Sequence, residues 1–207
     1  MSLQVGCPHC AASLEKYGDG WRCAVHGSVS ALWRAVHSGY DAFSQHLMWA
    51  AGFPTTLPWP LPTGWWVTDF ATVHDGERAT ATMASVAGST HQDGPVEVLV
   101  VCEEAGVGLG ARVSGFVHTD PGAHLGEERL RLRVDTRLHS FWPVTGASIH
   151  QGASSVVAGE VDGRWMWLVL RPASALLLLG GQFALADVSD QGPSLLELPF
   201  GGPAPVW

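Results

Sequence analysis

The sequence predicts an α+β fold with β dominant: a small N-terminal zinc ribbon, then a helix, then an antiparallel-sheet domain. Three observations predict it. Cys7, Cys10, Cys23 and His26 open the chain in a C-x2-C-x12-C-x2-H pattern, which is metal-ligand spacing. From Trp65 onward apolar residues alternate with period two, as half-buried strands require. Short turns containing glycine, His74-Asp75-Gly76 and Asp162-Gly163 among them, punctuate that region and join antiparallel neighbours.

In the opening segment, a gap of two residues lets two thiolates of one tight turn reach one ion. The second pair arrives from a second turn and closes the tetrahedron. The dozen residues between suit a β-hairpin with Gly18-Asp19-Gly20 at its tip. Two disulfides are the rival reading, but three cysteines cannot all pair. Met-Ser-Leu-Gln carries neither a charged n-region nor an apolar h-region, so a cytoplasmic address is expected, where cysteines stay reduced. A thioredoxin-like C-x-x-C needs a βαβ unit around it, and none is evident. A catalytic zinc keeps one position open for water, and four good ligands leave none, so the spacing predicts structural Zn²⁺. His9 is the natural substitute should His26 not ligate. So short a segment buries too little apolar surface to fold alone. Metal binding supplies roughly 10–16 kcal/mol in comparable peptides.

Across the 207 residues, 46% are hydrophobic and 14% charged, which predicts a surface rich in small and apolar groups. Ten tryptophans raise the expectation of a protein-binding face. The formal net charge of −8, with a single lysine, disfavours general nucleic-acid binding. No apolar run approaches the length of a membrane span.

In chain order, residues 1–27 are expected to form the zinc-ribbon-like module. Residues 28–63 would be a helix and Pro-rich connector, and 64–207 the antiparallel β-rich domain. Ser28 to Gly39 is ambiguous between a helical turn and an extended lead-out. Asp41 to Ala51 predicts a helix, capped by Asp41, with Phe43, Leu47 and Ala50 on one face and His46 exposed. Leu57 to Gly64 holds three alternating prolines and reads as an extended connector. Trp65 to Val73 and Glu77 to Ala84 form a hairpin, and a polar loop spans Gly88 to Pro95. Val96 to Cys102 is almost wholly apolar and predicts a central strand with Cys102 a buried, inert thiol. Val156 to Val161 and Arg164 to Leu170 form the clearest hairpin. Leu176 to Leu179 and Gln182 to Asp187 read as another, with a short helical turn near Ser194 to Leu198.

Several stretches invite chemistry. Glycines at alternate positions in Gly106-Val107-Gly108-Leu109-Gly110-Ala111-Arg112 resemble a phosphate loop, but the spacing fails G-x-G-x-x-G and no Lys-Ser/Thr follows. A bent strand is the main expectation there. The alternative is an anion or ligand site made of Glu103, Gly106, Gly108, Gly110 and Arg112. Arg129, Arg131 and Arg133 fall on one strand face, either a solvated surface or a patch for an acidic partner. Both faces of the strand from Arg164 are apolar, so it is covered on both sides or offers Trp165 and Trp167 to a partner. His118, Asp120 and His124 could gather as a second metal site. No Gly-x-Ser-x-Gly, His-Glu-x-x-His or Walker lysine occurs, and no catalytic residue is assigned.

The head Cys7 to Gly27, Pro58 to Pro62 with Gly64-Trp65, and Glu103 to Arg112 together resemble an actinobacterial protein family of unknown function with an N-terminal zinc-ribbon-like Cys3His motif. Gly159-Glu160, Gly163 to Trp167 and Leu185 to Asp187 extend the resemblance over nearly the whole length. It implies a cytoplasmic bacterial protein. It points to the glycine-rich stretch and the paired tryptophans as places to look. Some relatives carry a phosphotransacetylase label, which no residues here support.

The leading expectation is a non-catalytic cytoplasmic zinc-binding protein, a protein-interaction or regulatory accessory factor with an unidentified protein partner. One rival is an enzyme or small anionic-ligand binder using the Glu103–Arg112 segment. The other is a nucleic-acid-associated regulator working through the ribbon, which a basic stripe from Arg22 to Arg34 would favour.

Overall fold

The computed structural model describes residues 3–146, 154–181 and 183–207. In order the elements are β1 (Leu3–Gly6), β2 (Leu14–Tyr17), β3 (Gly20–Cys23), β4 (Gly27–Val29), β5 (Ala31–Ala35), α1 (Tyr40–Trp49), β6 (Thr56–Pro58), β7 (Trp66–His74) and β8 (Ala79–Thr90). There follow β9 (Gly94–Glu103), α2 (Leu109–Ser114), β10 (Leu130–Val134), β11 (Arg137–Pro143), β12 (Ser155–Val161), β13 (Arg164–Arg171) and β14 (Ala184–Asp187). Short 3-10 helices occupy Gly122–His124, Ala173–Gly180 and Gly192–Glu197.

The fold is β-dominant, with one large sheet that is antiparallel except where β10 meets β14. Its strand order is β1-β5-β7-β8-β9-β13-β12-β11-β10-β14-β6, and β2-β3-β4 form a separate small sheet. The apolar run predicted as a central strand is β9, paired to β8 on one side and β13 on the other. Continuous apolarity follows because both of its faces are covered. Val96, Val98, Val100 and Cys102 join one core cluster, and Leu99 and Val101 join the other.

The far end of the sheet curls back. Strand β6, last in the order, meets the middle of the sheet through Thr56 Oγ1 and the Cys102 thiol, 3.3 Å apart. Thr82 Oγ1 also donates to the Pro54 carbonyl at 2.5 Å. The seven strands from β9 to β6 thus wrap around the larger core, whose base is Phe43, Phe70, Leu168 and Leu170.

Pairing also cuts across the expected 1–27 segment. Strand β1 pairs with β5, Leu3 opposite Ala35, and so belongs to the large sheet. The small sheet is an excursion between β1 and β5. The ambiguous stretch after residue 27 supplies β4 and β5.

Five local expectations differ from what forms. Leu176 to Leu179 is not a strand but part of the 3-10 helix Ala173–Gly180. Four consecutive leucines carry no β-branching, and leucine is a good helix former. The last strand is confined to Ala184–Asp187, and Gln182 lies outside the described residues. The polar stretch Gly88 to Pro95 mostly extends the β8–β9 hairpin, with Thr90 opposite Gly94. Helix α1 begins at Tyr40 with extended Gly39 as its N-cap, and Asp41 sits in the first turn without a capping bond. His46 is buried rather than exposed: its Nε2 lies 3.0 Å from Thr55 Oγ1 and its Nδ1 2.8 Å from Thr72 Oγ1.

Candidate metal centre

Two short turns bring the four sequence-predicted ligands to one point. Cys7 and Cys10 flank the turn after β1, Cys23 ends β3, and His26 lies in the turn before β4. Their donor atoms all lie within 4.8 Å of one another. Cys10 Sγ is 3.7 Å from Cys23 Sγ, and His26 Nδ1 is 3.6 Å from both Cys7 Sγ and Cys23 Sγ. Around a Zn²⁺ ion with bonds of about 2.3 Å to sulfur and about 2.0 Å to nitrogen, regular tetrahedral edges are about 3.8 Å for S–S and about 3.6 Å for S–N. Three of the six donor pairs already stand at those separations, the whole set lies within 4.8 Å, and the cysteines are free thiols.

The backbone prepares the sulfurs for a cation. His9 N–H donates to Cys7 Sγ and Val25 N–H to Cys23 Sγ, each at 3.4 Å. The Val25 donor holds the Cys23 thiol well below the ordinary thiol range, at about 6. Burial pushes Cys7 the other way, to about 11. One thiolate is therefore favoured before any metal arrives, and a bound cation would complete deprotonation of the rest.

The knuckle leans on the glycine-rich segment. Arg112 Nη1 donates to the Cys7 carbonyl. His9 packs on Gly108, where an added Cβ would lie 2.6 Å from the imidazole Nδ1. Gly108 also has φ +79°, so glycine is required there twice over. The imidazoles of His9 and His26 are 5.1 Å apart, and burial lowers the pKa of His9.

Sequence reasoning offered a bent strand or an anion loop for Gly106 to Arg112. The chain forms a turn and then α2. The backbone N–H groups an anion would use are filled by the chain itself. Glu103 Oε2 accepts from Leu109 N–H at 2.7 Å and Gly110 N–H at 3.1 Å. Glu103 is fully buried, and burial pushes its pKa up to about 7 against the pull of those two donors. Its Oε1 makes no hydrogen bond, and neither does the neighbouring Trp167 indole N–H. Gly106 N–H is taken by Asp120 at 2.9 Å. The backbone donors among the five proposed anion ligands are thus largely taken by Glu103 and Asp120, and the segment supports the metal knuckle, with Glu103 Oε1 and Arg112 Nε left without partners.

The proposed tryptophan surface also needs correction. Trp167 is 0% exposed. Its indole packs on Gly110, where a Cβ would lie 2.2 Å from Nε1, and 6.0 Å from the Phe116 ring. Trp165 is half-buried against the same cluster. Helix α2 and Phe116 are the cover that sequence periodicity left open.

Other candidates resolve locally. His118 and His124 stack at 4.2 Å, but among the described residues only Cys7, Cys10, Cys23 and His26 form a metal-ligating cluster. Arg34 does not continue Arg22 into a basic stripe, because it pairs with buried Asp69 at 2.7 Å. Sequence reasoning missed this group. Asp69 also accepts from Trp207 Nε1 at 3.1 Å, and the Trp207 ring lies between Arg34 and Arg112, at 4.4 and 4.6 Å. Burial lifts the pKa of Asp69 despite Arg34. A lone aspartate within apolar β7 was the only signal in the sequence.

A model of one protein family, described as "Family of unknown function (DUF6758)", matches residues 1–207. The chain belongs to that family. No curated protein and no solved structure matches it. Among the described residues, no helix is long and apolar enough to cross a membrane.

Proposed function

We propose that the protein is a non-catalytic zinc-binding accessory factor. Structural Zn²⁺ closes its N-terminal knuckle, and the hairpin above the metal meets a protein partner. The observation that carries the reading is the donor set. Three sulfurs and one imidazole nitrogen lie within 4.8 Å of one another, and four such ligands on one Zn²⁺ would leave no position for a substrate or water.

The partner surface is the β2–β3 hairpin, with Lys16 and Trp21 on one face and Tyr17 and Arg22 on the other, together with the turn that follows. Tyr17 and Val25 are 63% and 72% exposed there. Lys16 lies 4.8 Å from the Trp21 ring centroid and Arg22 5.3 Å from that of Tyr17. Glu15 opposite Arg22 and Asp19 at the tip offset these cations, so the hairpin favours a partner through its exposed apolar groups rather than through net charge. A reducing, cytoplasmic setting belongs to this reading, since it keeps the three thiols available to the metal.

Metal analysis of the purified protein is expected to give about one zinc per chain. Cys23→Ser is expected to abolish it, and cadmium or cobalt replacement should show thiolate charge-transfer bands. A wild-type protein that stays metal-free in the presence of zinc at neutral pH would remove the basis of the proposal.

A further inference from the structure

On the sheet face away from α2, the mouth of the curled strands holds a cavity of about 500 Å³, within the range of small-molecule sites. Its base is apolar: Phe53, Cys102 and Met166 belong to the larger core cluster. Its walls carry four aspartates, Asp135, Asp162, Asp187 and Asp190, and one arginine, Arg164. The lining therefore has a large formal excess of negative charge.

Arg164 is the group this arrangement leaves unanswered. Its guanidinium carbon stands 4.7 Å from the Phe53 ring centroid, and its Nε is buried without a hydrogen-bond partner. Four aspartates share its cavity, yet none forms an ion pair with it. Among the described residues the ion pairs are Arg34–Asp69, Arg78–Glu104, Arg137–Asp162 and Arg171–Glu97. Nε is too enclosed for a ligand in the cavity to reach, so an acceptor there would meet the terminal guanidinium nitrogens; a half-buried cation with no ion-pair partner among the described residues is costly without one.

Two of the aspartates are held rigidly. Asp187 Oδ1 accepts from Thr55 N–H at 3.0 Å, Ser189 N–H at 3.0 Å and Ser189 Oγ at 2.7 Å. Asp135 Oδ1 accepts from Asp187 N–H at 3.0 Å. Among the described residues their Oδ2 atoms take no hydrogen bond.

We propose that this cavity binds a small zwitterion of the amino-acid type, its carboxylate on Arg164, its ammonium on Asp135 and Asp187, and its side chain on the apolar base. An anion alone would meet the excess of aspartates. A cation alone would leave Arg164 unsatisfied and repelled. A ligand bearing both charges answers both walls. Binding is non-covalent: the Cys102 thiol lies against Thr56 Oγ1, and burial pushes its pKa up to about 12. The inference is independent of the metal site.

The test is calorimetric titration of the full-length, zinc-loaded protein with each of the twenty common L-amino acids. The tightest binder is then compared with its decarboxylated amine and its deaminated acid. At least one amino acid is expected to saturate the protein at or below about 10 mM, and removing either charged group to weaken binding at least about tenfold. Arg164→Gln is expected to weaken the amino acid by a similar factor, while the amine, no longer repelled by the guanidinium, binds at least as tightly as it does to wild type. No saturation by any amino acid overturns the proposal. So does an amine, or an acid, that binds as tightly as the parent zwitterion. Should Arg164→Gln fail to fold, Arg164→Lys replaces it, and the comparison on wild type decides by itself.

Discussion

Arg112 of α2 donates a hydrogen bond to the main-chain carbonyl of Cys7, a partner 105 positions away in sequence. The same guanidinium lies over the Trp207 ring. A side chain that touches none of the four donor atoms therefore ties the metal knuckle to the body of the sheet.

Replacing Arg112 with alanine tests that tie. A charge-assisted hydrogen bond contributes about 1.5–3 kcal/mol, and a stacked ring adds to it. The melting temperature is expected to fall by about 3–12 °C. Zinc content should not change, because the donors are untouched. Hydrogen exchange should rise across residues 7–29. Unchanged protection there would show that the knuckle is held without Arg112.

Metal removal should act on one part of the chain. A chelator is expected to release amide protection in β2, β3 and β4, which share a small sheet closed by the donors. Strand β1 should keep its protection, because it is paired with β5 rather than with the knuckle. Exchange measured by mass spectrometry with and without chelator separates the two. Loss of protection throughout the large sheet would contradict this division.

Two buried groups set opposite pH dependences. Glu103 has an ordinary pKa of 4.5 and a folded value raised to about 7 by burial. Between those values the folded state holds a proton that the unfolded state has lost. Its contribution is therefore complete below pH 4.5 and disappears as pH rises through about 7, a change of about 3 kcal/mol. In Glu103→Gln this loss is absent, so the variant should gain on wild type between pH 4.5 and 8. His46 runs the other way: burial lowers it from 6.5 to about 3. Its contribution is complete above pH 6.5 and is lost as the unfolded state protonates on the way down toward pH 3, by on the order of 5 kcal/mol. His46→Gln should flatten that acid limb. Urea melts of each variant beside wild type at the same pH cancel the effect of acid on the metal.

Gly110→Ala isolates the packing beneath the knuckle. In an open helix this change stabilises by up to about 1 kcal/mol. Here the new methyl meets the buried Trp167 indole at 2.2 Å. Overpacking is expected to dominate, with a net loss of about 1–3 kcal/mol in chemical denaturation. A stabilised variant would mean that the indole moves aside freely.

Much of the fold was legible in local pattern. The ligand spacing from Cys7 to His26 brought four donors to one point, as expected. Both faces of β9 and β13 are apolar because both are covered, and the run from Val96 to Cys102 carried that message directly. The ends of the elements were less legible. Leu176 to Leu179 is equally apolar as a strand or a 3-10 helix, and period alone does not choose.

By itself the sequence determined the metal cluster, the β-dominant class and the hairpin turns, because each depends on residues a few positions apart. Tertiary structure decided the rest. It turned Glu103 inward to cap α2, buried Trp167 beneath Gly110, paired β1 with β5, and set Arg164 above Phe53 beside four aspartates. All but the Glu103 cap, which reaches six and seven positions along the chain, join segments tens of residues apart, and no local period encodes which buried charge will meet which backbone once the sheet has curled.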